Sequence, residues 1–478
     1  MKIRTKILLF LIIVFSLQAT DVTSQVTQEW VQRYHGPMNG SDAGNSITVD
    51  KAGNVYLTGS TTNVLGTDII TIKYNSSGLM LWLNIYNGPG NNVDRGAAIK
   101  VDNAGNAYVT GVSRGSSTRF DYVTIKYDSS GVLKWVQRFD GPTSMDDFPS
   151  DLAIDNSGNV YVTGWCSAGT SFDDYATVKY NSEGVLQWIQ RYNGNGNNED
   201  IARSIGVDVS GNLYVSGSSA GTNTGYDYAT IKYNSAGDSL WVRRYNGPLN
   251  GEDNVSSLAT DNSGNVYITG RSAGSNGIDT TFDIATIKYN TAGEFQWVQR
   301  YNGPANGHEE ASGIAVDNLG YVLVTGSGKG LVAESDYITI KYSSSAGTQQ
   351  WVQRYYGIGY GGVNGAKSIT TDRYGNIYVT GESSGESPVN QYDYATIKYN
   401  PAGVTQWIKR YNGPANGIDW AHSLVVDSAG NVYVTGESMG MDSGMDIATV
   451  KYSQTIGIQI ISTEIPVQYI LTQNYPNP

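Results

Sequence analysis

Two of the chain's three histidines stand beside carboxylates, His308 next to Glu309 and Glu310, and His422 shortly after Asp419 and Trp420; the third is His35. Imidazole with carboxylate is the pairing of general acid–base work and of some metal sites. No G-x-S-x-G or H-E-x-x-H run accompanies them, and three scattered histidines lack a metal's spacing. Cys166 is the only cysteine, so neither an intramolecular disulfide nor a cysteine metal cluster can form. Gly357-x-Gly359-x-Gly361-Gly362 is glycine-rich but opens no helix, which argues against a phosphate cradle. The expectation is a protein that is not an enzyme, with no catalytic residues and no cofactor.

A second set of residues favours binding. Trp165, Phe282, Tyr392 and Trp420, with Arg114, Arg119, Phe120 and Tyr226 nearby in kind, depart from an otherwise regular pattern. Aromatic faces beside amides and carboxylates suit sugar rings or extended peptides; the plainer reading is that they pack locally. The candidate binding residues are therefore Trp165, Phe282, Tyr392, Trp420, His308, Glu309, Glu310, Asp419 and His422. Seven carboxylates also recur at one place in a long repeat: Asp42, Asp94, Asp147, Asp200, Asp253, Glu309 and Asp419, with Asn364 in the remaining copy. Gathered at one opening they would draw cations. The constant length of the connection carrying them suits a pinning role instead, so no metal site is assigned and these stay as cation candidates only.

The elements that must position these residues are short and repeated. Trp30, Trp82, Trp135, Trp188, Trp241, Trp297, Trp351 and Trp407 open eight copies of W-V-Q-R-Y. Each is followed by an S-I-x-V-D segment, an N-V-Y-V-T-G segment and a D-Y-A-T-I-K-Y segment, all β-branched or aromatic runs bounded by Gly, Asn, Asp or Ser. Four strands at a period of 50-odd residues predict an all-β fold, an eight-bladed β-propeller of four-stranded antiparallel blades over residues 26–456. A blade is narrow at the axis, so the small-residue segment S-I-x-V-D becomes strand a, followed outward by b, c and the bulky W-V-Q-R-Y as d. The last copy lacks a d strand and Trp30–Tyr34 lacks a, b and c, so the N-terminal strand should complete the eighth blade. The short a–b and c–d hairpins, such as Asp155-Asn-Ser-Gly-Asn159, then share one face. The d–a and b–c connections share the other, and length varies freely only in b–c. Variable loops on a rigid frame are where binding resides. The hairpin aspartates look like part of a calcium loop but lack the later acidic ligand, and the strand-c lysines, from Lys73 to Lys451, suit pairing between blades.

The pattern resembles the SBBP family of β-propeller repeats, and the resemblance spans Trp30–Tyr452. It implies the fold and leaves the activity open. The run Tyr469-Ile-Leu-Thr-Gln-Asn-Tyr-Pro-Asn-Pro478 resembles the opening of the type IX secretion C-terminal sorting domain, here as a truncated start within residues 457–478. Residues 1–25 have a basic start, an apolar run Ile7–Leu17 and a polar end, as a secretory signal does. The formal charge of −12 argues against nucleic acid as a partner. The expectation is an exported, monomeric binding module, secreted or at the cell surface, with no membrane insertion after signal removal and a glycan or peptide as ligand. A spacer within a larger surface protein and a polysaccharide-acting hydrolase or lyase are the alternatives.

Overall fold

A computed structural model describes residues 25–455 apart from 170–171, 276, 278–279, 359–361 and 386–390. The expected signal segment and the C-terminal run resembling a sorting domain lie outside the described residues, except that Gln25 opens the first strand. The chain divides into a unit of Gln28–Ser453, which holds the repeats, and a unit of Met1–Thr27 with Gln454–Pro478.

Thirty-two strands, β1 (Gln25–Tyr34) to β32 (Met445–Thr455), form eight four-stranded sheets. The first blade is β2 (Ala43–Val49), β3 (Val55–Thr62), β4 (Thr67–Tyr74) and β5 (Met80–Tyr86), paired in chain order. The last is β30 (Asp419–Val426), β31 (Val432–Met439) and β32, with β1 on its outer edge, so strands from both chain ends close the ring. The first strands of neighbouring blades lie against one another all the way around, from β2 through to β30 and back. Strand a is therefore innermost and W-V-Q-R-Y outermost, as side-chain size predicts.

Every a–b pair carries a bulge, between Gly44 and Ser46 in the first blade. The glycine of N-V-Y-V-T-G faces it because no side chain fits: a Cβ on Gly59 would stand 1.7 Å from the Ala43 carbonyl oxygen. The a–b hairpins are built from their own aspartates. Asp155 Oδ1 accepts the Ser157 and Asn159 amides, and its Oδ2 accepts Asn159 Nδ2 at 2.7 Å and Tyr161 Oη at 3.0 Å. Gly158 takes the positive φ of 78° that the turn requires.

Packing lies between blades. Ile47, Val55, Leu57, Ile70, Ile72 and Tyr74 of the first blade form one cluster with Tyr433 and Ile447 of the last, and Trp30 and Tyr34 pack against it. A repeated latch fastens seven of the eight junctions. Trp82 Nε1 and Lys73 Nζ both donate to the Ser129 carbonyl in the next blade's c–d hairpin, at 3.3 and 2.8 Å. Trp30 and Lys451 do the same at the Ser76 carbonyl, 3.2 and 2.9 Å, so the closing junction uses the device of the others. The strand-c lysines thus pair blades, as their uniform recurrence suggests.

Candidate functional site

The recurring carboxylates are buried at the start of each a strand rather than facing an open mouth. Asp42, Asp94, Asp147, Asp200, Asp253 and Asp419 each accept the amide of the glycine six residues earlier: Gly36, Gly88, Gly141, Gly194, Gly247 and Gly413, at 2.5–2.8 Å. Asp42, Asp94, Asp147 and Asp253 also accept an amide from strand b. They pin the d–a connection. Burial pushes the Asp147 carboxyl up to about 7 and that of Asp419 to about 6, against the pull of the same amide donors. Two groupings could still hold an ion by proximity: Asp121, Asp140 and Asp147, and His35, Asp42 and Asp446, with donor atoms within 4.8 Å of one another in each.

Glu309 is the exception in the series. Its extra methylene is accommodated because the serine found two residues after the strand-b glycine in most blades is Gly328 here. A Cβ on Gly328 would meet Glu309 Cγ at 2.5 Å. Burial raises the Glu309 carboxyl, with the Gly303 amide and Arg354 acting against it.

Above Glu309 lies a cleft of about 740 Å³ between the fifth and sixth blades, on the face of the d–a and b–c connections. It brings together four of the sequence-predicted residues, Phe282, His308, Glu309 and Glu310. Phe282 sits in β20 (Thr280–Tyr289), which pairs with β19 (Val266–Ser275) over ten positions against eight in the other b–c hairpins. The variation in b–c spacing is here taken up by longer strands. The Phe282 ring has two neighbours. His308 lies 5.5 Å away ring to ring, and the Arg271 guanidinium is 4.5 Å from its centroid. Arg271 also approaches Glu310 at 3.6 Å and Glu252 at 3.9 Å. Lys329 and Glu334 complete a wall of mixed charge. An aromatic–cation stack flanked by carboxylates can take a planar or ring-shaped apolar face and hydrogen-bond its edges. Arg271 and Lys329 went unread in the sequence, although Arg271 interrupts a column that holds Ser, Val, Trp or Glu elsewhere.

The other candidates lie apart from this cleft. Trp165 is in strand β11 (Val160–Ser167), not in a loop, and stacks on Phe148 of β10 (Asp147–Ile154) at 4.7 Å, with Phe120 5.4 Å beyond. Half-buried, it serves packing and still shows an edge to solvent. Trp420 is 37% exposed in β30, one residue past Asp419, opposite Glu437, whose carboxylate is 3.3 Å from His422 Nε2. Tyr392 opens β28 (Tyr392–Tyr399) and is half-buried beside Ile418. On the opposite face, a 570 Å³ cleft is lined by Asp102, Asn106, Asp155 and Lys126. Those groups already serve the hairpins and the latch: Asp102 holds Asn106 and Tyr108, and Lys126 holds Ser182.

A family profile described as a β-propeller repeat, SBBP, matches residues 30–66, 134–169, 240–278, 350–387 and 406–440. Each match begins at or next to a landmark tryptophan and runs through strands d, a and b. No curated protein matches the chain. Among solved structures, the polysaccharide lyase Uly1 is similar over 86% of this chain and 90% of that one, at 10% identity and a TM-score of 0.48. Sqt1 of Chaetomium thermophilum is similar over 74% and 95%, at 10% identity and 0.39. A eukaryotic initiation factor is similar over 76% and 77%, at 9% identity and 0.42. None of these likenesses bears on activity. By its repeats and its strand order, the chain is an eight-bladed β-propeller carrying SBBP repeats in five places.

Proposed function

We propose that the protein is an exported, non-enzymatic binding module whose site is the cleft between the fifth and sixth blades. The observation carrying this reading is the convergence of Phe282, His308, Glu310 and Arg271 on one opening of the variable face. A ligand that stacks on Phe282 and offers hydroxyls or amides to Glu310 and Lys329 fits it, which describes a glycan or an extended peptide. Export rests on the basic and apolar start of the chain. The run Tyr469–Pro478 suggests delivery to the cell surface by the type IX route.

A glycan and peptide array on the protein comprising residues 26–455 tests the reading, followed by titration of each hit against Phe282→Ala and Arg271→Ala. The expected loss is about 1–2 kcal/mol of affinity for either variant, as for a modest interface anchor. Array hits with full affinity for both variants, lost instead on changing Asp102 or Asn106, would place the site on the opposite face. His308 beside Glu310 in the same cleft also favours a second reading, a polysaccharide-acting lyase or hydrolase. Turnover of a polysaccharide panel that disappears in His308→Ala would select it.

A further inference from the structure

Seven blades repeat one ion pair. The arginine of W-V-Q-R-Y meets the aspartate that opens strand c: Arg33 and Asp446 at 2.7 Å, Arg138 and Asp121 at 2.5 Å, Arg191 and Asp174 at 2.5 Å, Arg244 and Asp227 at 2.9 Å, Arg300 and Asp283 at 2.8 Å, Arg354 and Asp336 at 2.9 Å, Arg410 and Asp393 at 2.8 Å. Arg244 has the full set of acceptors around its guanidinium. It donates to Tyr192 Oη of the preceding blade at 3.0 Å, to Ser219 Oγ, and to the carbonyls of Ser219 and Ala220 at 2.8 and 3.1 Å. A planar fork of five donors matches such a cradle.

The first blade keeps the cradle and lacks the arginine. Ile85 pairs with Ile70 where Arg244 pairs with Ala229, so isoleucine stands in the arginine's place. The equivalent acceptors are all present: Asp68, the hydroxyl and carbonyl of Thr61, the carbonyl of Thr62, and Tyr34 on the preceding blade. Asp68 is 7% exposed and makes no ion pair among the described residues. Asp42 adds a second carboxylate. A Cβ on Gly36 would meet Thr61 Oγ1 at 2.6 Å and the Asp42 oxygens at 2.7 and 2.9 Å, whereas one on the matching Gly194 would meet Arg244 Nη1 at 3.0 Å. His35, on the facing side of the junction, is engaged with Asn39 and Asp446. Burial pushes the Asp68 carboxyl up, with Asn63 acting against it. Ile85, which stands in the arginine's place, is 46% exposed.

We propose that this slot binds a guanidinium cation from outside the chain, the arginine side chain of a peptide partner. The site is independent of the cleft four blades away. An ammonium ion is compact and would leave part of the cradle unmet, and a protein of charge −12 draws basic segments towards it.

Calorimetric titration with arginine amide, then with Gly-Arg-Gly and Gly-Lys-Gly, tests the assignment. Arginine amide should bind with a Kd of about 1–10 mM, and the lysine peptide at least about tenfold more weakly than the arginine peptide. Ile85→Arg should fill the cradle, abolish the titration and raise Tm. Asp68→Asn should abolish the titration without lowering Tm, because it removes a buried charge that has no cation beside it; it decides the matter alone if Ile85→Arg does not fold. Binding that persists in Asp68→Asn, equal affinity for the lysine peptide, or no binding by the wild type at about 50 mM arginine amide overturns the proposal.

Discussion

Asp147 carries a stability that depends on pH in the direction opposite to an ordinary surface carboxylate. Its folded carboxyl titrates at about 7, raised by burial, while the same group in the unfolded chain titrates near 4. The folded state therefore holds its proton longer, and stability falls as pH rises from about 4 to about 7, then levels. Asp147→Asn has no such titration. The Tm of the variant relative to wild type should climb across that window and stay flat above it; a constant difference from pH 4 to 8 would remove the assignment. The latch makes a second claim at this scale. Lys232 Nζ donates to the carbonyl and hydroxyl of Thr291, at 2.9 and 2.8 Å, and lies 5.0 Å from the Tyr214 ring centroid. Lys232→Met keeps the aliphatic stem and deletes the donor, leaving the carbonyl to the Trp241 indole alone. Chemical denaturation should register a loss of about 1.5–3 kcal/mol, the range for a hydrogen bond to a charged group. No loss would mean that the tryptophan carries the junction by itself.

Strand β1 is the element on which closure depends. Without it, β32 would present an unpaired edge, Arg33 would leave Asp446, and the Ser76 carbonyl would lose its Trp30 donor. Deleting residues 25–36 should give a protein that aggregates or melts at least about 10 °C lower, on the usual scale of several kcal/mol for a lost strand. Adding the deleted segment back as a peptide should restore part of the difference. Near-identical melting of the deletion variant would show that the blade stands on three strands. This role is legible from the chain alone, since Trp30–Tyr34 reads as a d strand without a, b and c segments of its own ahead of it. What the W-V-Q-R-Y column also contained, and what only register makes plain, is the Ile85 departure in W-L-N-I-Y: an isoleucine in one copy reads as drift until Asp68 is seen to face it.

At the scale of the ring, the junctions share one design. Strands β32 and β1 meet where every other blade has a c–d hairpin, and Trp407, whose turn it would be to donate there, has no partner for Nε1 among the described residues. A permutant starting at Asp238, ending at Gly237 and joining residue 455 to residue 25 through an Asn-Ser-Ala-Gly hairpin recreates that acceptor and keeps Ser235 for Trp188 and Lys179. It should remain monomeric and melt at or above the wild-type temperature by circular dichroism. A permutant that fails to fold would show that the closing junction is not equivalent to the rest.

Strand number, blade order and closure follow from the sequence because they rest on local, periodic information: the alternation of apolar residues, the turn chemistry of Asp-x-x-Gly-Asn, and a size gradient from Ser and Ala to Trp, repeated eight times. Repetition averages out the ambiguity of any single copy. The site depends on the opposite kind of information, single residues that break the repeat and meet only across a junction. Phe282 and His308 are 26 residues apart in a chain that gives no sign they touch, and their approach is set by the longer β19–β20 hairpin leaning over the next blade's d–a turn. Likewise the recurring carboxylates could have faced water or backbone by spacing alone. It was the close return of the chain at Gly36, Gly88 and their counterparts, a tertiary fact, that turned them inward.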